Sequence, residues 1–242
     1  KYMKINNFTY ENPDKDGEIR VEGELTLENS SDFDVELVKG SVIIVNENNV
    51  TVGGNEIDDD NIFIAAKDSG DLDPFGWMSL QKEHFSSGSG ADAKAYISVT
   101  TYRREFVKIG TLDVPAKAGD LTEIKKVISL GGAAECIGVS CLRKKDDDGD
   151  MSLSIQAGIR NTSDSFIARA QVTVKAMDQR DAQIDDTVIY EAIPAKSGHT
   201  FEPSFWGLKP GKMKNGSFSI TASVFLPVES FSVEAEPTLS DN

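Results

Sequence analysis

Glu18-Ile-Arg-Val-Glu-Gly-Glu-Leu-Thr-Leu-Glu28 decides the fold class. Ile19, Val21, Leu25 and Leu27 are apolar, with Arg20, Glu22, Glu24, Thr26 and Glu28 between them. That period of two marks a strand with one dry face and one wet face. The same plan recurs in Met151-Ser-Leu-Ser-Ile-Gln-Ala-Gly-Ile-Arg-Asn161. Met151, Leu153, Ile155, Ala157 and Ile159 take its dry positions, and Ser152, Ser154, Gln156 and Arg160 are among the wet ones.

The two stretches lie 132 residues apart, and the match extends to both sides. Asp14-Lys-Asp16-Gly17-Glu18 falls opposite Asp146-Asp-Asp148-Gly149-Asp150. Asn29-Ser30-Ser31-Asp32 falls opposite Asn161-Thr162-Ser163-Asp164. Val38, Gly40, Val42 and Ile44 meet Ala170, Val172, Val174 and Ala176, and Asn46 meets Asp178. An even offset keeps inward positions on inward positions, whereas an odd one would flip every side chain. Short polar side chains in the Asn-Ser/Thr-Ser-Asp stretches bond to nearby backbone and favour turns. Each copy therefore opens as strand, polar turn, strand.

Later segments align more loosely. Trp77-Met-Ser-Leu80 parallels Phe205-Trp206-Gly-Leu208, and the strand-like run 96–102 parallels 218–225. Last strands are expected at Phe106–Leu112 and Phe231–Glu234. The segment from Leu121 to Val127 reads equally as a short helix or a strand. The expected fold is all-β: two tandem immunoglobulin-like β-sandwiches related by internal duplication. The expected domains are 1–117 and 118–242, with the boundary near Pro115-Ala-Lys-Ala-Gly119.

The second copy resembles the FxLyD-type β-sandwich modules of bacterial and archaeal surface proteins. The resembling residues are Ala157-Gly-Ile-Arg-Asn161-Thr-Ser-Asp164 and Ala170-Gln-Val-Thr-Val-Lys-Ala-Met-Asp178, then Ile193-Pro-Ala-Lys-Ser-Gly198 and Phe201. Val174-Lys-Ala-Met177-Asp178 stands in place of the family's Phe-x-Leu-Tyr-Asp string. The resemblance implies an extracytoplasmic setting, and it assigns no chemistry and no functional residue.

Formal net charge is -15. Such a surface repels phosphate backbones and anionic membranes, so nucleic acid is not an expected partner. No apolar run approaches the roughly 20 residues of a membrane span. The chain begins at Lys1 rather than Met, and processing is the expected reason.

Acidic loops are the leading candidates for chemistry. Asp14 and Asp16, with Asp146, Asp148 and Asp150, resemble fragments of calcium loops, because Ca²⁺ needs several converging oxygens. Asp-Gly is also a common hairpin turn, and full EF-hand spacing fails, since Gly23 would take the twelfth position. Asp58-Asp59-Asp60 offers further carboxylates. Cys136 and Cys141 lie five apart, on opposite faces of a regular strand, which forbids a disulfide. A hairpin tip at Ile137-Gly138-Val139-Ser140 would permit one. The histidines, His84 and His199, have no acid or Cys at ligand spacing, so no Ser-His-Asp arrangement is expected.

Asn-x-Ser/Thr occurs at Asn7, Asn29, Asn49, Asn161 and Asn215, and turn chemistry is preferred there over glycosylation. Phe75, Trp77 and Trp206 read as core aromatics, with a platform for sugar or peptide as the alternative. The expected function is that of a non-enzymatic structural or adhesion protein, extracellular or on a cell or particle surface. It would act through protein partners or self-association, by edge pairing, with Lys1–Tyr10 as donor or acceptor strand. The alternative is a module binding carbohydrate or Ca²⁺.

Overall fold

The computed structural model describes residues 2–145, 151–205, 213 and 215–240. Among the described residues the only helical elements are two single 3-10 turns, Lys82–His84 and Gly90–Asp92. No helix there is long and apolar enough to cross a membrane.

The chain divides into two compact units, Lys1–Arg104 with Pro227–Asn242, and Glu105–Leu226. Strands are numbered in chain order. The first seven are β1 (Tyr2–Tyr10), β2 (Glu18–Glu28), β3 (Leu37–Val45), β4 (Thr51–Asp59), β5 (Ser69–Leu72), β6 (Met78–Gln81) and β7 (Lys94–Asp113). Next come β8 (Leu121–Ile124), β9 (Ile128–Leu130), β10 (Ala134–Lys145), β11 (Met151–Asn161), β12 (Ile167–Met177) and β13 (Gln183–Ile193). The last are β14 (Gly198–Phe201), β15 (Ser217–Ala235) and β16 (Thr238–Leu239).

In unit 1 one sheet runs β16-β1-β2-β5, with β6 also on β2. The other runs β4-β3-β7, with residues 227–235 of β15 beside β7. There the Glu229 N–H donates to Thr101 Oγ1 at 3.2 Å, and the Thr100 and Ser230 hydroxyls meet at 2.9 Å. The alternation in β2 is the burial observed: Ile19, Val21, Leu25 and Leu27 are all inside. They pack against Val38, Val42 and Ile44 of β3 and Ile97 and Val99 of β7. Gly40 occurs where β3 and β7 approach closely, since a Cβ there would lie 2.1 Å from the Ser98 carbonyl oxygen.

Unit 2 has one sheet ordered β14-β11-β10-β8, with β9 also on β10, and a second that runs β13-β12-β15. Its core holds Ile155, Ala157 and Ile159 of β11 with Ala170, Val172, Val174 and Ala176 of β12. The segment read as helix or strand is a strand over Leu121–Ile124, paired with β10.

The expected division at 1–117 and 118–242 is corrected. The runs read as separate strands at 96–102 and 106–112 are one strand, the 20-residue β7. The runs at 218–225 and 231–234 likewise belong to the 19-residue β15. Arg103-Arg104-Glu105 contains no Gly, Pro, Asn or Asp to turn the chain. The chain therefore leaves unit 1 in the middle of β7 and returns to it in the middle of β15. Phe231 belongs to the core of unit 1, and Ile109 and Leu112 to that of unit 2.

Each unit contains the same buried corner. The Asn29 Nδ2 group donates to the carbonyl oxygens of Phe33, Ile64 and Ala65, at 2.7, 3.2 and 3.0 Å. The Asn161 Nδ2 group donates to those of Ser165, Ile193 and Pro194, at 2.8, 3.1 and 3.1 Å. Ser31 and Ser163 each donate N–H and Oγ–H to the Oδ1 of that Asn. Lys67 pairs with Asp32 and Lys196 with Asp164, at 2.9 and 3.1 Å. After β3, Asn46 Oδ1 accepts the N–H groups of Asn48 and Val50. After β12, Asp178 Oδ1 accepts those of Arg180 and Ala182. These backbone donors hold the Asp178 carboxyl below its ordinary range.

Candidate functional site

The described acidic loop works as a turn. Asp14 Oδ1 accepts the N–H groups of Asp16 and Glu18 at 2.8 and 2.9 Å, and Gly17 has φ +81°. One oxygen of the carboxylate thus closes the β1–β2 hairpin. Asp146, Asp148 and Asp150 lie outside the described residues. Asp59 Oδ1 accepts the Asn61 N–H, and Asp58 pairs with Lys39 at 3.1 Å. Among the described residues no three His, Cys, Asp or Glu side chains gather as a metal site would require.

Of the two cysteine alternatives the bridged hairpin tip is excluded, and the placement on opposite faces is corrected. Cys136 and Cys141 are free thiols, both fully buried in the core of unit 2. No hairpin tip forms between them, because β10 runs on, pairing Cys136 with Ile159 and Cys141 with Ile155. A register shift between Cys136 and Gly138 adds one residue and turns both thiols inward. Five residues of strand hold the two Cα atoms roughly 15 Å apart, far beyond disulfide reach. Burial raises both thiol pKa values, that of Cys141 from its ordinary 9.0 to about 11. Folding therefore favours the neutral thiol. Its stabilising effect is complete below the unfolded pKa and is lost as pH rises from about 9 to about 11. At pH 8 neither thiol should react with a disulfide dye in the folded protein, and both should react once denaturant is added. Rapid native labelling would contradict the buried placement.

Asn29 and Asn161 are buried, with their amides committed to the corners, so a glycan on either would break its corner. Asn49 and Asn215 are exposed in turns with left-handed φ values of 59° and 57°, whereas Asn7, exposed with φ 50°, lies inside β1 at the register shift between Asn6 and Thr9. His84 and His199 are exposed, and His199 packs edge-on to Phe201 at 4.8 Å.

Among the described residues two features stand open to a partner. The first surrounds Trp77. Phe75 enters the core of unit 1 as expected and stacks on Phe8 at 4.8 Å. The core reading fails for Trp77, which is 94% exposed, and Trp206 lies outside the described residues. Alternation gives the reason. Met78 and Leu80 of β6 are buried, so Trp77 shares the outer side with Ser79. The turn before it is braced: Asp73 Oδ1 accepts the N–H groups of Phe75 and Gly76, and Gly76 has φ +55°. The Arg20 guanidinium lies 5.3 Å from the Trp77 ring centroid and pairs with Glu22 at 2.7 Å. An open groove of about 490 Å³ runs beside the ring, lined also by Asn7, Thr9, Glu24 and Asp73.

The second feature is the edge of unit 2 at β13. Among the described residues this strand pairs with β12 alone, in unbroken register from Ala170↔Glu191 to Ala176↔Asp185. Ile184, Val188 and Tyr190 alternate along it and are exposed. Arg169 lies over the Tyr190 ring at 4.3 Å. β13 also carries Asp185, Asp186 and Glu191, with the uncharged run Thr187-Val-Ile-Tyr190 between them, and the edge strand β4 of unit 1 carries Glu56, Asp58 and Asp59.

No family model matches the chain, and no curated protein matches it. Several solved structures show slight likeness. Red sea bream transglutaminase is 10% identical, over 100% of this chain and 31% of that one, with TM-score 0.23. A structure named pT26-6p is 6% identical, over 91% and 65%, with TM-score 0.26. The exo-chitosanase CsxA of Amycolatopsis orientalis is 11% identical, over 88% and 25%, with TM-score 0.24. This chain spans less than two thirds of each.

Proposed function

We propose that this chain is a non-enzymatic assembly or adhesion protein of an extracytoplasmic or particle surface, acting through protein–protein contacts. In the same proposal its two units are copies of one immunoglobulin-like sandwich. The matched Asn29 and Asn161 corners, repeated bond for bond, support the duplication. The resemblance to FxLyD-type modules supports the setting.

The β13 edge is the observation that carries the contact mode. An 11-residue strand with one side unpaired among the described residues presents backbone N–H and C=O groups to an incoming strand. Ile184, Val188 and Tyr190 add apolar area for the newcomer to cover. The N-terminal segment is a weaker candidate than its sequence suggested. It is β1, already paired with β2 and touching β16 at Thr9 and Tyr10. Phe8 and Tyr10 are core residues, so removing residues 1–10 would damage unit 1 rather than merely free an edge.

Point substitutions test the proposal cleanly. Sedimentation velocity of the wild type should show concentration-dependent association. The Ile184→Lys/Val188→Lys double variant should weaken it by about tenfold or more, since two charges would enter the contact. Both side chains are exposed, so each change should alter stability by no more than about 0.5 kcal/mol. A wild type that stays monomeric throughout, or a variant that associates equally well, would refute the proposal.

A further inference from the structure

We infer that the groove beside Trp77 is a binding site for a neutral carbohydrate, separate from the β13 edge. The strand register assembles it. Thr9 of β1 stands opposite Glu22 of β2, and Val21 pairs with Met78 of β6. Trp77, one residue before Met78, therefore continues the same row across the sheet. Asn7 and Glu24 lie one step further along, and Asp73 closes the end.

Trp77 contributes nothing visible to the core, since nearly all of its surface meets solvent. The backbone leading to it is nonetheless held in place. The Asp73 turn holds its backbone, Phe75 anchors the preceding residues against Phe8, and Arg20 sits against the ring. An exposed indole on a braced backbone offers a large apolar face with few torsions to immobilise on binding. The C–H-bearing face of a pyranose is apolar and matches an indole face. Its equatorial hydroxyls need acceptors and donors around the rim. Asn7, Thr9, Glu22, Glu24 and Asp73 supply them within one groove.

Charge selects among ligands. The lining carries Glu22, Glu24 and Asp73 against one cation, Arg20, which Glu22 already engages. Uronic, sulfated or phosphorylated ligands would be repelled, and a nucleic acid strand would need a basic groove here. A neutral glycan faces neither obstacle.

Affinity electrophoresis of the full chain tests this. The gels would contain hydroxyethylcellulose, xyloglucan, galactomannan or glycogen, with chondroitin sulfate as the anionic comparator and glycol chitosan as the cationic one. At least one neutral polysaccharide should retard the wild type, and chondroitin sulfate should not. Trp77→Ala should weaken that retardation about tenfold or more, and Trp77→Phe less. Because the ring is exposed, the thermal midpoint of Trp77→Ala should match the wild type. Absence of retardation by every neutral polysaccharide would overturn the inference. So would equal retardation of Trp77→Ala, or binding confined to glycol chitosan, which would mark bare charge attraction.

Discussion

Replacing Asn161 with alanine is expected to destabilise unit 2 by about 3 kcal/mol or more, the largest effect of any single substitution considered. The side chain is 1% exposed. Its amide nitrogen serves three carbonyl oxygens from two separate segments, Ser165 on one side and Ile193 and Pro194 on the other. Its Oδ1 accepts both the N–H and the hydroxyl of Ser163. Alanine would remove all five of these bonds, at about 0.5–1.5 kcal/mol each, although the Ser163 N–H keeps the Ala133 carbonyl, the Pro194 carbonyl keeps the Ser197 N–H and the Ser165 carbonyl keeps the Ser163 hydroxyl. Aspartate should be worse, since it would set a second acceptor against three carbonyls. Asn29→Ala should show a loss of similar size in unit 1, where the corner is the same. Asn48→Ala, on an exposed turn, should stay within about 0.5 kcal/mol. Denaturant unfolding measures all four. A loss below about 1 kcal/mol for Asn161→Ala would show that the corner is not the structural clamp its bonds suggest.

Ending the chain at Leu226 should unfold unit 1 while unit 2 keeps its structure. The truncation removes the part of β15 that lies beside β7, together with β16. It takes Phe231 out of the core and strips Val233 and Ala235 from its margin. It also uncovers β7, where Thr101 loses its bonds to Glu229. Loss of one large buried aromatic alone costs about 3–5 kcal/mol, and a domain's whole stability is only about 5–15 kcal/mol. Hydrogen exchange followed by mass spectrometry separates the units. Amides of β2 and β3 should lose protection, and those of β11 and β12 should keep it. Full protection of β2 and β3 in the truncated chain would refute the assignment of residues 227–242 to unit 1.

The sequence by itself determined the side-chain phase of the central strands. Ile19, Val21, Leu25 and Leu27 are inside because alternation is a local property, set by the pleat of one strand. It also determined the Asp14 turn and the local half of each Asn corner, where Ser31 and Ser163 bond back to the Asn two residues before them, whereas the carbonyls of Ile64, Ala65, Ile193 and Pro194 come from distant segments. The outward place of Trp77 follows from the same alternation, one residue out of phase with Met78 and Leu80, although large aromatics are more often inside. Tertiary structure alone decided three things. It decided that both cysteines point inward, because a bulge in β10 is set by its partner β11. It decided that β7 and β15 run straight through the expected ends of their domains, because a strand continues wherever a neighbour supplies hydrogen bonds. It decided which edges stay open, because an edge is defined by the strand that is not there, and no local pattern in β13 records that.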